Sequence, residues 1–151
     1  MTLERVMTYR VKTTGSQGPL TGSPLGEHQY WTVSEAELEG PEIHARLAAP
    51  GMDWLRIGTD GFWRPNVRAL FETDDQQLIW LHYTGLVQQT EAFRAAAGAN
   101  RATEWGDQYM RLTLQFDTGA EKYRWLNTRL FVAAGRLLGT GHIEYSVHQV
   151  L

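Results

Sequence analysis

Alternation of apolar and polar residues constrains the fold of this chain more than any other feature. Met110, Leu112, Leu114 and Phe116 alternate with Tyr109, Arg111, Thr113 and Gln115, and Ile143, Tyr145 and Val147 alternate with His142, Glu144, Ser146 and His148. Leu3, Met7, Tyr9 and Val11 recur at odd positions. Successive side chains of a strand point to opposite faces, so a period of two marks a half-buried strand. Turn-forming clusters such as Thr59-Asp60-Gly61, Asp74-Asp75-Gln76, Asp117-Thr118-Gly119 and Leu138-Gly139-Thr140-Gly141 separate the runs. Short strands between frequent turns predict an all-β sandwich or barrel rather than an α/β fold.

Two segments depart from that period. Thr90 followed by Glu91, an alanine-rich body and Gly98 reads as a short capped helix laid over the end or side of the sheet. The Gly-, Ser-, Thr- and Pro-rich stretch from Thr13 to Gly26 reads as a long exposed loop or flap between the first two strands. No repeat or linker divides the 151 residues, which predicts a single domain over residues 1–151. A domain of this size buries roughly 70% of its unfolded surface, enough for a core without disulfides or structural metal.

Composition removes several chemistries. With no cysteine, the chain has no disulfide, thiolate nucleophile, iron–sulfur cluster or cysteine zinc site. The histidines, His28, His44, His82, His142 and His148, show no His-x-His or His-Glu-x-x-His spacing. His142 and His148 share a strand face but lie roughly 20 Å apart. No metal and no cofactor is expected. A net charge of −3 argues against a nucleic-acid partner. The first residues lack the cationic start and apolar stretch of a signal peptide, and no apolar run reaches the ~20 residues needed to span a bilayer. A cytoplasmic protein without a membrane partner is expected.

A second level of information lies in the order of particular residues. Pro50-Gly51-Met52-Asp53-Trp54 is followed by Thr59-Asp60-Gly61, Val67-Arg68 and Thr73-Asp74-Asp75. Later come Tyr109-Met110-Arg111, Phe116-Asp117-Thr118-Gly119, Tyr123-Arg124-Trp125-Leu126-Asn127 and a last strand ending Glu144-Tyr145-Ser146-Val147-His148. In this combination, over about residues 26–150, the chain resembles the domain-of-unknown-function 3237 family of small bacterial and fungal proteins. The resemblance implies an antiparallel, calycin-like β-barrel, similar in shape to allene oxide cyclase, and carries no general activity. About 8 to 10 strands with one short helix are expected. Two positions depart from the family pattern: Asn66 stands where an acidic residue is common, and Gln76 replaces a glycine.

Barrels of about eight strands can hold a small ligand among their inward-facing residues. Asp53, beside Trp54, is either a turn cap or a carboxyl whose pKa is raised by desolvation, suited to general acid–base work. Glu144 is a second catalytic candidate if its face turns inward, where a charge must be paired; otherwise it is exposed. Tyr109 and Arg111 either anchor an anionic or phenolic ligand or lie on a wet strand face. Arg68 and Glu72 lie on one face of Val67 to Thr73, and there Arg68 either serves a salt bridge between neighbouring strands or binds ligand. Asn127, a residue type rare in strands, uses its amide for the backbone or for a ligand. Six tryptophans supply core packing or ring stacking, with Trp54 and Trp125 the candidates to flank a ligand.

These residues suggest a cofactor-independent isomerase, cyclase or lyase. It would move a proton on a small aromatic or polycyclic molecule, with Asp53, Glu144 and Tyr109 catalytic and Trp54, Arg68, Arg111, Trp125 and Asn127 binding. A non-catalytic, lipocalin-like binding protein for a hydrophobic or aromatic ligand is one alternative. An interaction subunit with a tryptophan-rich seam is another. Exposed aromatic surface also favours a homo-oligomer, most simply a dimer.

Overall fold

The structure, a computed structural model, describes residues 1–151. Ten strands run in chain order: β1 (Leu3–Leu20), β2 (Glu27–Gly40), β3 (Ile43–Leu47), β4 (Gly51–Ile57), β5 (Phe62–Arg64), β6 (Asn66–Thr73), β7 (Leu78–Gln88), β8 (Met110–Asp117), β9 (Leu130–Gly139) and β10 (His142–Val150). Every pairing is antiparallel, and the sheet closes on itself. β1 pairs with β10, and pairing continues through β9, β8 and β7 to β6. β6 meets β3 and β4, both pair with β2, and β2 returns to β1. Closure satisfies the backbone groups that an open edge would leave unpaired.

The period-two pattern sets which face is inside. β8 alternates strictly, with Met110, Leu112, Leu114 and Phe116 buried and the residues between them exposed. Leu3 breaks the expected pattern at 59% exposed, because a register shift between Arg5 and Met7 inverts the parity of β1.

The expected loop from Thr13 to Gly26 is largely strand instead. β1 continues to Leu20 and pairs with the start of β2 from Thr13↔Val33 to Leu20↔His28. Register shifts span Gly15 at φ 61° and Gly18 at φ 102°, so the glycines serve bulges in a protruding hairpin.

The two ends of the barrel differ. One is filled by Met7, Leu38, Ile43, Phe71, Ile79 and Phe131, and a 3₁₀ helix (Glu121–Thr128) adds buried Tyr123 and Leu126 to that core. The sequence suggested a strand around Asn127; the helix there is a correction. The other end is roofed by α1 (Glu91–Gly98), where the Thr90 hydroxyl accepts the Phe93 backbone N–H at 3.2 Å, as a cap should. The chain leaves this helix through Asn100 at φ 51°, not through a glycine. No helix is long and apolar enough to cross a membrane.

Candidate active site

Under α1 the barrel is hollow. The cavity measures about 210 Å³, and 14 of its 20 lining residues are hydrophobic. Phe93 and Ala97 of α1 form part of its wall.

Asp53 is placed in this wall by strand register. Trp31 of β2 and Val67 of β6 are its cross-strand partners, and Tyr83 of β7 is the partner of Val67. The same row continues through Leu114 of β8 to Phe131 of β9. It starts beside the cavity and ends in the filled half, as strand tilt in a barrel requires. Trp31, Asp53, Val67 and Tyr83 all line the cavity.

The Asn66 backbone N–H donates to Asp53 Oδ1 at 3.0 Å. Oδ2 has no hydrogen bond from the protein. Burial pushes the Asp53 pKa up to about 6, with the Asn66 N–H pulling the other way. Desolvation disfavours the carboxylate, and one backbone donor does not compensate for it.

Three buried phenols stand close to Asp53. Tyr9 stacks on Tyr145 with ring centroids 5.7 Å apart, and its hydroxyl lies 3.3 Å from that of Tyr83. Burial, followed by the Tyr9 phenol, raises the pKa of Tyr83 and of Tyr145. The Asp53 charge acts in the same direction on all three tyrosines. All three therefore remain protonated donors near neutral pH. Gly135, the cross-strand partner of Tyr145, makes room for its ring, since a Cβ there would fall on Tyr145 and on Met110 Sδ.

Of the residues singled out by sequence, only Asp53 lines this cavity. Trp54, next in β4, points outward at 56% exposed and meets Tyr30 edge-on. Glu144 also lies outside, in the cross-strand row Glu37–Arg10–Glu144–Arg136. Its Oε2 accepts from Arg10 Nε at 2.8 Å and its Oε1 from Arg136 Nη2 at 3.0 Å. Partial burial acts to raise its pKa, but the two arginines outweigh this and hold it below the ordinary value. Of the two readings of Glu144 the outward one holds, because Tyr145 and Val147 take the inner face of β10.

The same parity moves Arg111 to the outer face, where its guanidinium stacks on the exposed Tyr109 ring at 4.9 Å. Arg68 is exposed on β6, and the expected salt bridge to a neighbouring strand does not form: neither Arg68 nor Glu72 is in an ion pair. Trp125 packs against Phe131 at the filled end. Asn127 uses its amide for the backbone: Oδ1 accepts from Thr118 N at 3.0 Å, and Nδ2 donates to Thr118 O at 2.8 Å. Asn66, at the departing position, contacts His82 through its side chain on the exterior and holds Asp53 through its backbone.

Sequence reasoning missed Trp31, Trp63, Tyr83 and Tyr145, which line the cavity. Parity carried a signal for Tyr145, since it alternates with the outward Glu144. No comparable pattern marked Trp63, on a strand of three residues.

The chain matches the DUF3237 family, described as a protein of unknown function, over residues 1–150, and it belongs to that family. Its fold is similar to a conserved protein of unknown function from Rhodopseudomonas palustris (TM-score 0.87, 22% identity, 99% of this chain and 97% of that one). It is also similar to a β-barrel-like protein from Acinetobacter baumannii (TM-score 0.81, 26% identity, 98% and 94% covered). An enzyme from Penicillium herquei is similar at greater distance (TM-score 0.69, 17% identity, 99% and 94% covered).

Proposed function

We propose that this member of the DUF3237 family is a cofactor-independent enzyme that moves a proton on a small aromatic or polycyclic molecule held in the barrel. The observation that carries this reading is Asp53, a carboxylate with a pKa of about 6, set in the wall of an apolar cavity of about 210 Å³. A general base works best when its pKa lies near the working pH. An apolar cavity of about 150 Å³ holds one benzene ring, so this one has room for a one- or two-ring substrate.

In the proposed step the Asp53 carboxylate takes a proton from a carbon next to a carbonyl, or from a hydroxyl. The C–H or O–H bond breaks, its electron pair moves onto the substrate, and the new carboxyl later returns the proton at another position. No co-reactant is needed, so isomerisation, cyclisation and elimination are all open to this chemistry. That a distantly similar barrel from Penicillium herquei is an enzyme supports the reading at the level of fold.

The test uses 2-tetralone as a two-ring ketone probe, with exchange of its α-protons for solvent deuterium followed by NMR. The wild-type protein should accelerate exchange, Asp53→Asn should lower the rate at least about 100-fold, and Glu144→Gln should leave it unchanged. Equal exchange by wild type and Asp53→Asn would overturn the proposal.

A further inference from the structure

The cavity wall has a charge pattern that limits what can enter it. None of the lining residues is lysine, arginine or histidine, and Asp53 supplies the one formal charge. An anionic ligand would bring a second negative charge beside Asp53 into an apolar space with no counter-charge, which is strongly unfavourable.

The wall also holds an unused donor. Tyr145 is 2% exposed and lines the cavity, yet its hydroxyl makes no hydrogen bond with the protein. Tyr9 turns its own hydroxyl to Tyr83 and contacts Tyr145 only through the ring. The hydroxyl is not sealed off, since Gln108 Oε1 is the one fully enclosed side-chain polar atom without a partner, so an acceptor from a bound molecule can reach it and complete it. Asp53 Oδ2 is free in the same cavity, and Trp31 and Trp63 provide flat apolar walls.

We infer that the cavity selects an uncharged aromatic molecule with one ketone or phenol oxygen, which accepts from the Tyr145 hydroxyl, and that it rejects carboxylates of the same shape. The inference rests on the reading of this cavity as the substrate site. It makes Tyr145 the residue that reads the oxygen, and Asp53 both the base and the barrier to anions. In a proton abstraction beside a ketone, the electron pair released by the C–H bond ends on the oxygen facing Tyr145, whose O–H hydrogen bond then strengthens.

The test is calorimetric binding of 2-naphthol, 2-naphthoate and naphthalene to the intact protein at about pH 8, where Asp53 is ionised and 2-naphthol is not. Wild type should bind 2-naphthol at least about tenfold more tightly than 2-naphthoate. Tyr145→Phe should weaken 2-naphthol about tenfold and leave naphthalene unchanged. Asp53→Asn should tighten 2-naphthoate, a gain of binding that a misfolded variant cannot give. Equal or tighter binding of 2-naphthoate by wild type, no binding of any probe, or an unchanged 2-naphthol affinity in Tyr145→Phe would overturn the inference. Binding is read without turnover, so intact selectivity with no tetralone exchange would sink the catalytic proposal alone.

Discussion

The backbone N–H of Asn66 holds Asp53 Oδ1 at 3.0 Å, fixing a carboxylate in the wall of an apolar cavity with one oxygen left free. Strand β6 thus orients a residue of β4 through its main chain. The Asn66 side chain is free to turn to His82 outside.

This arrangement has a stability consequence. The folded pKa of Asp53 is raised to about 6, above the unfolded value. Well below about pH 4 the group is protonated in both states and contributes nothing. As pH rises from about 4 to about 6 the unfolded chain loses its proton first, so stability falls, and above that range the penalty is constant. Asp53→Asn should therefore be more stable than wild type by about 3 kcal/mol at neutral pH, with the difference vanishing below about pH 3. Thermal melts of both proteins across that range check this, and a difference independent of pH would contradict it.

Glu144 behaves in the opposite sense. Its folded pKa is depressed by Arg10 and Arg136 against the pull of burial, so its contribution exists above the unfolded pKa and disappears as pH falls through the folded one. Glu144→Gln should cost about 1 kcal/mol at neutral pH and almost nothing in acid. Denaturant titrations at the two pH values measure this.

Which side chains line the cavity was legible in the sequence only in part. Alternation in β8 and β10 was plain, and it predicted strands correctly. It did not say which face of each strand was inside, and polar faces carrying Arg111 and Glu144 were candidates for the cavity. Burial resolves this in physical terms: the apolar rows fill one half of the barrel and line the hollow half, while the charged rows pair with each other outside. Asp53 and Trp54 illustrate the limit. They are adjacent in a strand, so only one of them can face the cavity, and the choice falls to the smaller, charged residue. Trp63 comes from a three-residue strand that no period could reveal.

Gly135 is the third site where a substitution reads out the geometry. A methyl group at this position would meet the Tyr145 ring and Met110 Sδ. Gly135→Ala should destabilise the protein by about 1–3 kcal/mol and displace Tyr145 toward the cavity. Chemical denaturation gives the first effect, and a weakened affinity for 2-naphthol gives the second. An unchanged stability would show that the ring moves aside without strain.

The pH dependence of tetralone exchange shows whether Asp53 is the proton-moving group of this cavity. The rate should rise with pH along a single titration with a midpoint of about 6 and should disappear in Asp53→Asn. A midpoint of about 4, the value of an exposed carboxylate, or the same profile in Asp53→Asn, would contradict it.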